Sequence, residues 1–181
     1  MPLTRYSVDE KQVALLRLER AEARVLVISS NDHLALSAGA DVREELDEQG
    51  RVHRMELFAR LYDELTAFPK PTVAACHGAV VGGGAEIAVA CDLRVGGSNL
   101  RMRFPGAELG VPVGPARLVT LCGLATAKYL LLTSRNVSAD EALRLGLVHR
   151  VAPAAATEPA ALDLAAEVLS LIHISEPTRR S

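Results

Sequence analysis

A buried strand, three consecutive glycines and an apolar helix follow one another in the stretch PTVAACHGAVVGGGAEIAVACDLRV, residues 71–95. The strand segment, PTVAACH, is apolar on both faces, which is typical of a parallel sheet covered on both sides. The glycines of residues 82–84 then mark a turn, and a helix is predicted over about residues 84–90. This stretch therefore predicts an α/β layered fold with a mostly parallel sheet.

The same alternation of short apolar runs and helical patterns continues along the chain. Further strands are predicted over residues 13–18, 24–29, 93–95 and 100–104. Apolar side chains that recur at spacings of three and four predict an amphipathic helix over residues 51–68, starting near Gly50. Three more helices are predicted over residues 115–121, 125–133 and 138–145. The last has Ser138 as its N-cap, Glu141 at the capping-box position and Gly146 as its stop.

One junction does not fit a purely parallel sheet. Only the residues ERAEA, 19–23, separate the first two predicted strands, whereas a parallel crossover takes about a dozen or more. These two strands therefore pair antiparallel, do not pair, or have lost a helix that joined them.

Composition excludes several classes of protein. A chain of 181 residues, 49% hydrophobic and 23% charged, has the size and balance of one globular domain. Its net charge of -2 differs from the basic footprint of a nucleic-acid binder. The apolar stretches are broken by Gly, Pro and charge, and the first residues lack a signal-peptide core, so no membrane partner is expected. The three cysteines have no metal-binding spacing, which favours buried thiols in a cytoplasmic protein.

The three glycines and the acid that follows them, Glu86, suggest a site at the start of the helix. A P-loop would need a Lys after the glycines, and a dinucleotide site would need the spacing GxGxxG; the stretch has neither. Glycines let backbone N–H groups approach a ligand closely, and the first amides of a helix can hold a developing oxyanion. Glu86 would then donate or accept a proton beside it. The alternative is tight helix–sheet packing, with Glu86 in a salt bridge or at the surface.

A second loop can supply a matching amide. In LALSAGADVREEL, small residues surround Gly39 after a predicted strand and loop. Two amides from separate loops would make a two-donor oxyanion hole.

Three segments, SAGAD, KPTVAACHGAVVGGGAEIAVACDLRV and LLLTSRNVSADEALRLGLVHRV, resemble the crotonase family of enoyl-CoA hydratases and isomerases. They occur in the family's order and spacing and cover most of residues 24–151. The resemblance implies a crotonase-like (ClpP/crotonase) α/β fold, a spiral of ββα units with a helical C-terminal part. It also implies an acyl-CoA substrate, no cofactor other than the coenzyme A of that substrate, no metal, and assembly as a homotrimer or homohexamer.

The resemblance assigns roles to residues of both loops. The backbone N–H groups of Ala38 and Gly83 would bind the thioester oxygen and stabilise an enolate. Glu86 falls on the first of the two catalytic glutamates of the hydratases. Further substrate contacts are implied for Ser37, Gly39, Ala40, Asp41, Gly82 and Gly106.

The second glutamate of the hydratases has no clear counterpart. The family pattern is F-x-x-P-E followed by L-G, whereas this chain reads FPGAELG. Alignment on Pro105 and the Leu-Gly pair puts Gly106 at the place of the acid, and alignment on Phe104 puts Glu108 there. We favour the first register, in which Glu108 is an acid near the surface rather than a second catalytic residue.

The resemblance also predicts a shortened member of the family. The crotonase-like core is assigned to residues 1–150, and the start of the helical C-terminal region to residues 151–168. From residue 169 the sequence LSLIHISEPTRRS resembles a translated sequencing adapter. Residues 169–181 are therefore expected to be non-native, with the C-terminal helices largely missing.

Three functions are compatible with these features. The first is an enzyme of the enoyl-CoA hydratase type. The second is an enoyl-CoA isomerase or another crotonase reaction that needs one glutamate. The third is a non-catalytic acyl-CoA binder or an inactive fragment.

The remaining polar residues are expected to be structural. Asp92 and Arg94 are predicted to form a buried pair, and Asp41 to cap the helix that follows it. His77 is expected near the glycines in a supporting position, and Cys76 and Cys91 in the core.

Overall fold

The computed structural model describes residues 24–41, 43–108, 110 and 115–175, and within them the strands form two four-stranded sheets. In chain order the strands are β1 Leu26–Ile28, β2 Ala35–Ser37, β3 Thr72–Cys76, β4 Ala79–Val81, β5 Leu93–Gly97, β6 Arg101–Arg103, β7 Val137–Ser138 and β8 Arg150–Ala152. One sheet has the order β1-β3-β5-β8 and the other the order β2-β4-β6-β7. Neighbouring strands are parallel except β7, which runs antiparallel to β6.

Helices connect and cover the two sheets. The described α-helices are α1 Glu48–Thr66, α2 Gly83–Ala90, α3 Pro115–Thr133, α4 Ala139–Arg144 and α5 Thr157–Ser175. Two short 3-10 helices, Pro105–Ala107 and Ala154–Ala156, lie before α3 and α5.

Successive strands enter different sheets, and this alternation builds a spiral. The chain passes from β1 to β2 in the other sheet, and α1 then returns it to β3 beside β1. The chain repeats the pattern through β4 and α2 before it reaches β5. Each parallel neighbour is thus joined through a long crossover, as parallel pairing requires. The predicted α/β fold with spiral ββα units is confirmed.

The central strand β3 is buried on both faces. Val73 and Ala75 pack in one cluster with residues of α5, whereas Ala74 and Cys76 belong to the larger cluster that includes α2. Successive side chains of a strand point to opposite faces, so each face of β3 contacts a different layer. This double burial explains the uninterrupted apolar run in the sequence.

Some predictions lie outside the described residues. The strand over residues 13–18 and the ERAEA junction are among them, so the three readings of that junction stay open. The predicted strand 24–29 corresponds to β1, which is shorter. Of the adapter-like segment, residues 169–175 continue α5, and residues 176–181 lie outside the description.

The first helix begins earlier than predicted, and part of its predicted core face is exposed. Asp47, rather than Gly50, ends the preceding loop, and its carboxylate accepts a hydrogen bond from the Gly50 N–H at 2.7 Å. This N-cap satisfies a backbone donor that the helix itself cannot pair. Val52 and Met55 are exposed, and the buried positions of α1 are Tyr62 and Leu65. Only the second half of α1 therefore reaches the core.

The second half of the chain forms the helices that the sequence predicts. The two predicted helices over residues 115–121 and 125–133 are the halves of α3, which is broken at Gly123 with φ 78° and ψ 161°. Ser138 caps α4 by accepting from the Glu141 N–H, and Gly146 follows the helix with a φ of 74°. The Glu141 carboxylate bonds the Arg135 guanidinium.

One stretch of the described chain has the length and composition of a membrane span. This stretch, Ala116–Thr133, has a mean hydropathy of 1.3 and is mostly unburied. The non-helical backbone at Gly123 divides it into two shorter helical pieces. A single helix needs about 20 residues to cross a bilayer, so this finding is weak support for a membrane partner.

Arg94 is buried, but it does not pair with Asp92 as predicted. Its guanidinium donates to the backbone carbonyls of Leu147, Ala88 and Cys91. Asp92 is exposed and accepts hydrogen bonds from the N–H and hydroxyl of Thr72, each at 2.8 Å. Arg94 thus joins the end of α2 to the turn after α4, because carbonyl oxygens satisfy a buried guanidinium without a carboxylate.

Gly78 brings β2 against the turn between β3 and β4. Its φ is 57°, and a Cβ at this position would lie 1.9 Å from the Leu34 carbonyl oxygen. The Ala79 N–H donates to the same carbonyl oxygen at 2.9 Å. This approach fixes the strand that ends at Ser37 relative to the strand that leads to the three glycines.

We expect Gly78→Ala to lower the free energy of unfolding by about 3 kcal/mol or more, because the new methyl group would overlap the Leu34 carbonyl in a strained backbone. Gly123→Ala is the matched control, since Gly123 also has a positive φ but has open space around it. Its cost should be that of the strained backbone alone, about 1–3 kcal/mol. Urea denaturation measures both values, and equal losses would show that the contact with Leu34 adds nothing.

Candidate active site

The loop after β2 contacts the start of α2. A Cβ on Gly39 would lie 2.9 Å from the Val81 carbonyl oxygen and 3.4 Å from the Gly83 nitrogen. Ala38, the residue before Gly39, is exposed. The two loops that carry the predicted oxyanion donors therefore lie side by side in the fold.

A different structural constraint explains each of the three consecutive glycines. Gly82 adopts φ 53° and ψ −117°, a conformation that other residues rarely reach. A Cβ on Gly83 would lie 3.2 Å from the Tyr62 hydroxyl oxygen. A Cβ on Gly84 would lie 2.4 Å from the Ser37 carbonyl oxygen. The turn at Gly82 and the contact of Gly84 with β2 thus require a residue without a side chain, and the contact of Gly83 with α1 leaves little room for one.

The backbone of Gly83 is suited to bind an anionic oxygen. Gly83 is the first residue of α2, and Gly82 precedes it without a side-chain cap. The first N–H groups of a helix have no acceptor within it, and the helix dipole favours negative charge there. An oxyanion near Gly83 would meet both the free donor and the dipole.

Glu86 is a buried acid one turn into α2. It is 2% exposed, and its Oε2 has no hydrogen-bond partner among the described residues. Burial raises the pKa of the Glu86 carboxyl to about 7, while the Arg117 guanidinium partly lowers it. The carboxyl therefore changes protonation state near neutral pH, where a general acid or base is most effective.

Two residues beside Glu86 did not figure among the predicted site residues. Arg117 Nη1 lies 3.7 Å from Glu86 Oε2, and the Arg117 guanidinium lies over the Tyr62 ring, 5.4 Å from its centroid. Burial, and then the charge of Glu86, raise the pKa of the Tyr62 phenol, so it remains a hydrogen-bond donor. Tyr62 follows Phe58 by four residues and precedes Leu65 by three, so the helical period could have placed it on the buried face.

The two candidates for the second acid lie near the glycine turn, but neither offers a free carboxylate there. Gly106 is in the 3-10 helix Pro105–Ala107, whose Pro105 ring packs near Gly82. Glu108 follows this helix, and its two carboxylate oxygens each bond Arg103 Nη2 at 2.7 Å. Its side chain is 51% exposed. Glu108 thus pairs with Arg103 rather than with Glu86 or Arg117.

The other predicted contact residues lie at the end of β2 and just after it. Ser37 packs under Gly84, and Ala40 is half-buried beside Gly39. Asp41 does not cap α1 as predicted, because Asp47 does so. The Asp41 carboxylate instead accepts from the Arg43 N–H at 2.9 Å and stabilises a local turn.

The remaining candidates have structural partners. His77 is buried, and its Nε2 lies 2.6 Å from the Asp32 carbonyl oxygen. Cys76 and Cys91 are buried, as predicted, and burial raises the pKa of each thiol. Within the described ranges, no three His, Cys, Asp or Glu side chains are grouped so as to hold a metal ion.

Comparison with known proteins gives a consistent result. A family model described as enoyl-CoA hydratase/isomerase matches residues 3–176. The chain is 33% identical over 156 residues to the short-chain-enoyl-CoA hydratase of Clostridium acetobutylicum, an alignment that covers 83% of this chain and 59% of the relative. It is 33% identical over 151 residues to the crotonyl-CoA hydratase of Syntrophomonas wolfei, covering 81% of this chain and 58% of the relative.

A solved structure shares the fold. The crystal structure of an enoyl-CoA hydratase from Bacillus anthracis superimposes with a TM-score of 0.80 at 31% sequence identity. The match covers 84% of this chain and 61% of that structure. The chain thus spans about three-fifths of the length of these relatives.

The burial of Glu86 predicts a pH-dependent stability. An unfolded glutamate ionises near 4.5 and folded Glu86 near 7, so between these values only the unfolded chain releases this proton. Ionisation therefore costs the folded protein stability as the pH rises from 4.5 to 7. Glu86→Gln carries no such cost, and it should gain up to about 3 kcal/mol relative to the original chain between pH 5 and pH 8. Urea denaturation at both pH values tests this, and a constant difference would contradict it.

Proposed function

The chain belongs to the enoyl-CoA hydratase/isomerase family, and from that premise we propose that it binds an acyl-CoA thioester and stabilises its enolate. The observation that carries the proposal is the buried Glu86, which lies one helical turn after Gly83 and has a pKa of about 7. Coenzyme A arrives as part of the substrate, so the reaction needs no separate cofactor.

The thioester oxygen is held by the backbone N–H groups of Ala38 and Gly83. The contact of Gly39 with the Gly83 nitrogen supports this arrangement, because it brings the two loops together. Charge that develops on the oxygen is stabilised by donors fixed before the reaction starts. In other enzymes one such donor contributes about 2.7–4 kcal/mol to the transition state.

Hydration of a conjugated enoyl-CoA is the first candidate reaction. The oxygen of water bonds to the β-carbon, the π electrons move through the enolate, and a proton is delivered to the α-carbon. Glu86 accepts the proton of water in its ionised form and donates a proton in its neutral form. The hydratase names of the similar relatives support this candidate.

Isomerisation of the carbon–carbon double bond is the second candidate, and a specific observation favours it. Glu108 is half-exposed and bound by Arg103, and Gly106 has no acid to offer. A single carboxyl suffices to remove a proton from one carbon of the acyl chain and return it to another. Glu86 alone can carry that exchange through the same enolate.

We also propose how the whole protein assembles, where it is located and that it is active. Large apolar side chains are exposed on the second half of α3, namely Leu124, Tyr129 and Leu132, and they support a homotrimer or homohexamer. A cytoplasmic location remains a prediction. A chain that binds acyl-CoA without turnover is the alternative outcome of the test below.

We expect Glu86→Gln to reduce turnover by about 100- to 10,000-fold, because proton transfer by a placed side chain contributes that much. Glu108→Gln is the matched control and should change turnover by less than about threefold, since it removes an exposed ion pair. Loss of the conjugated enoyl absorbance measures hydration, and its appearance from a non-conjugated enoyl-CoA measures isomerisation.

The control also separates the two reactions. If Glu108→Gln abolishes hydration, Glu108 is the second acid and the single-carboxyl assignment is wrong. If neither reaction occurs while calorimetry detects binding of crotonyl-CoA, the chain is a binder rather than an enzyme.

A further inference from the structure

Arg117 is held by α1 at three points. Its Nη2 lies 3.1 Å from Asp63 Oδ1, its Nε donates to Thr66 Oγ1 at 3.3 Å, and its guanidinium lies over the Tyr62 ring. These partners span one face of α1, whereas Arg117 itself belongs to the first turn of α3. The side chain therefore has a defined position between two helices, and its Nη1 is directed toward Glu86.

The position of Arg117 along its own helix needs an explanation. The N-terminal turn of a helix carries partial positive charge, so a cation there is unfavourable. Pairing with Asp63 and Glu86 offsets that cost. The location of Arg117 is therefore better explained by what it contacts than by the stability of α3.

Few charged groups face Glu86. Among the described residues, Arg117 from α3 and Tyr62 from α1 act on it. The strands packed against α2 are β2, β3 and β4, and Cys76 of β3 is their one titratable residue; burial raises the pKa of its thiol, which therefore stays uncharged. Arg117 is thus the cation in the described chain that can oppose the desolvation of the Glu86 carboxylate.

We propose that Arg117 is a positioning residue that holds the Glu86 carboxylate in place and sets its protonation state for the proposed reaction. The 3.7 Å separation is an ion-pair distance without a hydrogen bond, so Oε2 of Glu86 stays available for proton exchange. A direct hydrogen bond would bind the carboxylate more tightly and weaken it as a base. The inference rests on the proposed function for the reason why Arg117 is needed. The effect of Arg117 on the protonation of Glu86 can be measured without that function.

The test is a titration of Glu86 that needs no turnover. The carboxyl carbon of Glu86, identified by its loss in Glu86→Gln, is followed by ¹³C NMR from pH 4 to pH 10. Removing an opposite charge nearby shifts a carboxyl pKa upward by about one unit or more. Two neutral variants, Arg117→Gln and Arg117→Met, should therefore both raise the midpoint, and Arg117→Lys should restore most of the original value.

The chain offers a matched control. Arg135 lies over the Tyr129 ring, 5.6 Å from its centroid, and pairs with the Glu141 carboxylate. Like Arg117, it contacts a tyrosine ring and an acid, but it does not contact Glu86. Arg135→Gln should leave the Glu86 midpoint unchanged. A shift of equal size in Arg135→Gln would mean that the effect is general, and it would overturn the inference.

Kinetics then separate the inference from the proposed function. The low-pH limb of kcat/KM should move upward with the NMR midpoint in both neutral variants, by about one pH unit. If the midpoint stays within about 0.3 units, well short of the one-unit shift expected, the inference is wrong even when turnover is normal. If the midpoint shifts and no variant turns over any enoyl-CoA, the proposed function fails while the role of Arg117 stands.

Discussion

The close contact between the end of β2 and the start of α2 is the constraint on which the rest of the site depends. Ser37 lies against Gly84, and Gly39 lies against the Val81 carbonyl just before the turn, at distances that leave no room for a Cβ. The two segments belong to successive turns of the spiral and meet because β2 and β4 are paired. The glycines are therefore needed for the geometry of two loops, and the exposure of an amide to a ligand is a consequence of that geometry.

The same contact explains how an acid can be buried beside the turn. The glycines let α2 begin close to the sheet, so Glu86, one turn later, lies beneath α1 and α3 rather than in solvent. The desolvation cost is only partly offset, since Arg117 is near but not hydrogen-bonded. Burial thus destabilises the ionised carboxyl just enough to bring its pKa near neutral pH, which is what proton-transfer chemistry requires.

Features carried by a single segment were predictable, and features that join distant segments were not. The strand β3, the helix α2 and the cap at Ser138 follow local patterns, and their positions agree with the sequence. The resemblance in turn identified the fold. Arg117 was missed because its partners Asp63 and Glu86 lie on other elements, and no periodicity links them. The predicted pair of Asp92 and Arg94 was wrong for a related reason. The two residues are close in sequence, but the fold brings backbone carbonyls to Arg94, and these cannot be predicted from that closeness.

The double burial of β3 has a consequence for the order in which the chain is made. One face of this strand is covered by α5, which begins at Thr157. During synthesis the strand that leads to the glycine turn leaves the ribosome before α5, its second covering layer, has been translated. Until then Val73 and Ala75 present an apolar surface to the cell, and such intermediates are prone to aggregation. Chaperone binding at this strand would therefore have most effect in the interval between the synthesis of β3 and that of α5.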